Sequence, residues 1–259
     1  FVTVDHSGKY VLVANYGGGT TRAFPIGKDG SLGEPTDNEA PGVNSHMIIT
    51  DPANKFAFVL NLGSDSITQY AFDAANGTLS PNSVPAVMTA KKAGPRHLAF
   101  HPNGKFAYVI DELDRTVSTY SYNAALGQLG FVASLSTLPN GASGKGVTGG
   151  EIVVAPSGNF VYGSNRSASS NTSSIARFSV DAASGRLTLI DTTLSGGDVP
   201  RSFTLSADGK LMLVANESGN VVSFAVDVAS GALKKLRSID VPQKPQFVAI
   251  VRLPVASVR

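Results

Sequence analysis

The chain has no cysteine. Disulfides, thiolate nucleophiles and Cys-ligated metal sites are therefore excluded, and the compartment stays open. Charge of one sign is scarce too. The net charge is +2, and charged residues make up 15% of the 259. The basic residues are scattered and form no run, so no nucleic-acid surface is expected. No run of about 18 apolar residues occurs, so no membrane-spanning helix is expected. Histidines never take a metal-site spacing, and no Gly-x-Ser-x-Gly elbow occurs. Gly17-Gly18-Gly19 lacks the Lys-Ser/Thr that a phosphate loop needs, and reads as a wide loop between strands. The reading carries no cofactor and no metal. No signal peptide is visible, and a start at Phe1 reads as the middle of a longer protein.

What the chain does have is 27 glycines, 14 prolines and 42% hydrophobic residues, the composition of a globular chain with many tight turns. Five segments read alike: DHSGKYVLVANY from Asp5, DPANKFAFVLNL from Asp51, HPNGKFAYVIDE from His101, APSGNFVYGSNR from Ala155 and SADGKLMLVANE from Ser206. Their turn residues Gly8, Asn54, Gly104, Gly158 and Gly209 lie 46, 50, 54 and 51 residues apart. A period near 50 belongs to a propeller or a solenoid.

Each unit has the same grammar. A short apolar strand (His97–Phe100, Phe203–Leu205) leads through a turn into a Val/Phe/Tyr-rich run (Phe106–Ile110, Leu211–Val214) expected to be buried on both faces. An alternating strand follows (Thr116–Tyr122, Val221–Val226). After a turn carrying Gly30, Gly77, Gly127, Gly185 or Gly231 comes a fourth, edge strand such as Leu187–Ile190. Four strands per period make a propeller blade. The expectation is an all-β fold, a single β-propeller domain over residues 1–259 with five repeats visible. Gln246–Leu253 reads as the first strand of another blade.

The repeat aligns positions internally. Seven residues past each anchor stand Asn15, Asn61, Asp111, Asn165 and Asn216, a column of short polar side chains expected to close the turn after the second strand. One residue further stand Tyr16, Leu62, Glu112, Arg166 and Glu217, chemically unrelated groups on equivalent backbone. Glu112 and Arg166 fall on neighbouring blades, where a salt bridge is the plain structural alternative. At the entry of the first strand, His46, Arg96, Gly150 and Arg201 align, followed by Met47, His97, Glu151 and Ser202. Antiparallel pairing puts that entry beside the exit of the second strand. His46, Arg96, His97, Glu112, Glu151, Arg166 and Arg201 are therefore expected at one mouth of the central channel. Arginine forks suit a carboxylate or phosphate, and a histidine or glutamate beside them moves protons near neutral pH. His6 and His101 read as turn residues. Leu138–Gly150, the longest loop, opens onto Glu151 and reads as a mobile flap.

LVANYGGG (Leu12–Gly19), GPRHLAFHPNGKFAYVIDEL (Gly94–Leu113), STLP (Ser136–Pro139), EIVVAPSGNFVYGSNR (Glu151–Arg166) and PRSFTLSADGKLMLVANE (Pro200–Glu217) carry a resemblance over almost the whole chain. It is to the bacterial 6-phosphogluconolactonase propellers and the fungal 3-carboxy-cis,cis-muconate lactonizing enzymes, which share a seven-bladed fold. The resemblance implies part of a seven-bladed ring, with roughly one hundred further residues on the N-terminal side. It implies His46, Arg96, Glu112 and Arg166 as catalytic residues; Arg201, His97 and Glu151, placed at the same mouth by the repeat columns, are expected to bind substrate. Asn44, Val153 and Glu217 depart from the family's usual residues.

The expected activity is metal-independent hydrolysis of an anionic sugar lactone such as 6-phosphogluconolactone. Arg96 and Arg166 hold the anion or oxyanion, and Glu112 or His46 activates water. A lactonizing or cyclase activity on a carboxylated diene acid uses the same groups. A non-catalytic, secreted binding propeller is the third reading, with Asn171 as its best glycan acceptor. A cytoplasmic enzyme with a small anionic substrate, and no nucleic-acid or membrane partner, is the favoured expectation.

Overall fold

The computed structural model describes residues 1–251. Five four-stranded antiparallel sheets follow one another along the chain. Blade I holds Val2–Val4 (β1), Tyr10–Asn15 (β2), Thr20–Pro25 (β3) and Asp37–Glu39 (β4). Blade II holds Ser45–Thr50 (β5), Phe56–Asn61 (β6), Ser66–Asp73 (β7) and Thr78–Met88 (β8). Blade III holds Pro95–Phe100 (β9), Phe106–Asp111 (β10), Thr116–Asn123 (β11) and Gln128–Ser136 (β12). Blade IV holds Thr148–Val154 (β13), Phe160–Arg166 (β14), Ser174–Val180 (β15) and Leu187–Leu194 (β16). Blade V holds Pro200–Leu205 (β17), Leu211–Asn216 (β18), Asn220–Val226 (β19) and Leu233–Asp240 (β20). Strands pair in sequence order within each blade, and the first strands of neighbouring blades lie against one another around the axis.

The core lies between the blades as four apolar layers, one at each junction. This is why the second strands of blades III and IV are buried along their whole length. The matching strand of blade V alternates, with Leu211 and Leu213 half-exposed. There the expected burial on both faces does not hold, because among the described residues a neighbouring blade packs on one side only.

Neighbouring blades interlock through aromatic residues. Tyr108 donates to Gly185 O in the next blade at 3.1 Å, and Tyr162 to Gly231 O at 2.7 Å. Those hairpin glycines have φ of +70° and +74°. A Cβ on them would lie 2.5 Å from Phe106 and 2.7 Å from Phe160. Both the backbone conformation and the ring packed against it therefore require glycine.

Three further expectations change. The Asn column does more than close a turn. Asn61, Asn165 and Asn216 are fully buried and donate to Pro41 O, Thr137 O and Ser195 O, tying each blade to the segment that enters it. The expected loop ends early, because Thr148–Gly150 already belong to β13. Residues 246–251 form no strand, since they find no partner ladder among the described residues; 252 and 253 lie outside them.

Candidate active site

Every first strand from blade II onward breaks register at its entry. The irregularities fall between Ser45 and Met47 in β5, at Arg96 in β9, between Gly149 and Ile152 in β13, and between Pro200 and Ser202 in β17. The extra residues are His46, Arg96, the Gly150–Glu151 pair and Arg201. A bulge adds one residue and re-aims its side chain. This local device gives the entry column a common aim, and His46, Arg96, Glu151 and Arg201 all line one cavity.

The mouth thus gathers the candidate residues. His46, Arg96, His97, Glu151 and Arg201 line a cavity of about 480 Å³, together with Ser202, Gln246 and Phe247. Arg166, Arg201 and Glu217 line an adjoining cavity of about 240 Å³. Glu112 lines neither and sits between the two. Arg96 Nε lies 3.1 Å from Glu112 Oε2, and Arg166 Nη2 lies 2.7 Å from the same oxygen. One carboxylate thereby holds two guanidiniums from neighbouring blades.

Arg96 is only 1% exposed, the largest side chain among those so deeply buried. Its Nη1 donates to Gly150 O at 2.6 Å, but its Nε is not aligned for a hydrogen bond with Glu112. Arg166 Nε likewise has no partner. Burial first, and the Arg166 charge next, pull the Arg96 guanidinium down to about 10, which leaves it charged at neutral pH. Burial lowers Arg166 as well. Two buried cations here share one carboxylate, and each keeps an Nε that makes no hydrogen bond.

His97 Nδ1 stands 2.6 Å from Glu151 Oε1. Burial and Arg96 press the imidazole below its ordinary range, against the pull of Glu151. Burial pushes the Glu151 carboxyl up, but His97 and Arg96 outweigh it and the net direction is down. A cation beside the pair favours a neutral imidazole and an ionised carboxylate at once. His46 packs edge-on against Tyr16 and His97, with ring centres 5.7 and 5.0 Å away. Burial, then Arg96 and His97, push it far below its ordinary range. Its buried Nδ1 has no partner. Arg201 makes a looser 3.4 Å pair with Glu217, which also accepts from Gln246.

Ser202, Gln246 and Phe247 were not expected as site residues. Ser202 stands in the aligned column and lines the cavity, and its buried Oγ has no hydrogen-bond partner; a neutral hydroxyl carries no charge to mark it in the sequence. The last two follow the fifth repeat and had no column to sit in. Among the described residues no group of three or more His, Asp or Glu is placed to hold a metal ion.

A propeller with paired arginines at one mouth is thus defined by fold and site together. The profile of the family "Lactonase, 7-bladed beta-propeller" matches residues 1–250. The chain is 33% identical over 253 residues to the 6-phosphogluconolactonase of Pectobacterium carotovorum, covering 97% of this chain and 74% of that protein. It is 32% identical to the 6-phosphogluconolactonase of Bacillus subtilis, covering 93% and 70%. Among solved structures, the periplasmic gluconolactonase of Pseudomonas aeruginosa superposes with a TM-score of 0.83 at 30% identity, covering 94% of this chain and 70% of that one. The chain belongs to the lactonase family of seven-bladed β-propellers.

Proposed function

We propose that this protein hydrolyses an anionic sugar lactone of the 6-phosphogluconolactone kind at the arginine-lined mouth. The observation that carries the reading is the buried pair Arg96 and Arg166, clamped by Glu112, each with an Nε that makes no hydrogen bond. The pair and Arg201 bind the substrate's anionic group and stabilise the oxyanion formed when water adds to the lactone carbonyl. Glu112 keeps the two guanidiniums in place before substrate arrives, so little reorganisation accompanies the reaction. His46 closes the cavity wall as a neutral ring. The two adjoining cavities give room for a ring and a charged substituent side by side.

Arg96→Ala is expected to lower kcat/KM for 6-phosphoglucono-δ-lactone by roughly 10²–10³-fold, the scale of losing an oxyanion donor. Glu112→Gln is expected to fall by a smaller factor. Stopped assays corrected for spontaneous hydrolysis measure both, and normal rates in the two variants sink the reading. Among the described residues no helix is long and apolar enough to cross a membrane. The cytoplasm is the compartment this reading takes, and cell fractionation decides between it and export.

A further inference from the structure

Several groups at the mouth can take a proton, and the surroundings of Glu112, His46, His97 and Glu151 differ. Glu112 faces two guanidiniums through one oxygen and lines neither cavity, so it is committed to holding arginines. His46 has no carboxylate within 4 Å among the described residues to fix its tautomer or stabilise its protonated form. His97 and Glu151 form a dyad that lines the larger cavity.

Glu151 is itself held. Its backbone N–H donates to Ser164 Oγ at 2.8 Å, and the Ile152 N–H donates to its Oε1 at 3.1 Å. The short contact at His97 Nδ1 places the ring proton on that nitrogen, because an ionised carboxylate only accepts. Nε2 then carries the lone pair. Arg96 Nη1 stands 3.4 Å from both ring nitrogens. The contact to Nε2 is long and shared with Nδ1, while the short bond of the same Nη1 goes to Gly150 O at 2.6 Å, so a water competes for Nε2 against a weak partner.

We propose that His97 is the general base that activates the hydrolytic water, and that Glu151 is the positioning residue that fixes its tautomer. This rests on the lactonase reading. The water proton passes to His97 Nε2 as the water oxygen bonds to the lactone carbonyl carbon. The carbonyl electron pair moves onto the oxyanion facing the arginines. When the tetrahedral intermediate collapses, the ring C–O bond breaks and Nε2 returns the proton to the departing ring oxygen. The product is the open hydroxy acid, which ionises. Glu151 stabilises the imidazolium between the two transfers.

The test measures kcat and KM of the full chain on 6-phosphoglucono-δ-lactone from pH 5 to 9, with 6-phosphogluconate binding by calorimetry as a control. His97→Gln is expected to lose roughly 10²–10⁴-fold in kcat with 6-phosphogluconate binding within a few-fold. Added imidazole is expected to restore part of the rate in His97→Ala. The wild type is expected to lose kcat/KM on the acid side as His97 takes a proton. Arg96, Glu151, His46 and the Phe1 amino group face that ring. Glu151→Gln removes the nearby negative charge, disfavours the imidazolium, and is expected to move the acid limb to lower pH while lowering kcat. A merely structural Glu151 leaves the limb where it was, and that result overturns its role. An active wild type with undiminished His97→Gln overturns the base alone. A wild type that binds 6-phosphogluconate but hydrolyses no lactone overturns the lactonase reading and the base with it.

Discussion

Two histidines stand at opposite ends of one strand, and their surroundings separate chemistry from architecture. His97 lies near the entry of β9 and His101 just past its exit; both are buried, and both reach the next blade. His101 uses both ring nitrogens on backbone: Nδ1 accepts from the Asn103 N–H at 3.1 Å, and Nε2 donates to Gly158 O at 2.9 Å. It replaces a carboxylate, since Asp5 and Asp51 bind the same turns in blades I and II. His97 lines the cavity, with a carboxylate on Nδ1 and only a long 3.4 Å contact from Arg96 on Nε2. A ring with both valences closed by backbone is a lock, and a ring with one valence open is a reagent.

The comparison breaks most sharply by substituting both residues. Against the large loss of kcat expected for His97→Gln, His101→Gln is expected to keep kcat within a few-fold. It should lower Tm by roughly 3–10 °C through the lost blade-to-blade hydrogen bond. Thermal melts and lactone assays on the two variants measure this; a His101→Gln protein that loses activity at unchanged Tm breaks the distinction.

Asp111 extends the comparison to stability. It stands in the buried Asn column without an amide to donate, and its Oδ1 has no partner. Burial first pushes its carboxyl from 3.8 up to about 7. The folded protein therefore keeps a proton that the unfolded chain releases. Stability present below pH 4 is lost as the pH rises to about 7. Asp111→Asn is expected to flatten that decline and to add about 2–4 kcal/mol at pH 8. Urea unfolding at pH 4, 6 and 8 measures it, and an unchanged pH dependence overturns the assignment of the decline to Asp111. The smallest effect belongs to Glu217→Gln, which weakens a partly exposed 3.4 Å pair with Arg201. It should change stability by less than ~1 kcal/mol. A larger loss in the same urea series means that this pair carries more of the mouth than its exposure implies.

Much of this was legible in the sequence because the fold repeats itself. The turn residues mark the period, the apolar runs mark the strands, and the alignment of repeats gathers His46, Arg96, His97, Glu112, Glu151, Arg166 and Arg201 at one end. The burial of the Asn column was not legible, because a turn asparagine and a buried one read alike. Nor were the roles of His101 and His97 separable by type. One was read as a turn residue on position alone, and its bond to Gly158 depends on a blade 57 residues further along.

The amino-acid sequence by itself determined the blade, its repeat and the set of charged groups at one end. Period, alternation and turn chemistry are local properties that each unit carries without its neighbours. Only the tertiary structure decided which carboxylate serves which cation. Glu112 holds Arg166 and Glu151 holds His97 across blade junctions, and the bulges that aim His46, Arg96 and Arg201 exist only where two strands pair out of step. Hydrogen bonds and ion pairs depend on ångström-scale positions, and those are set by how one blade packs on the next.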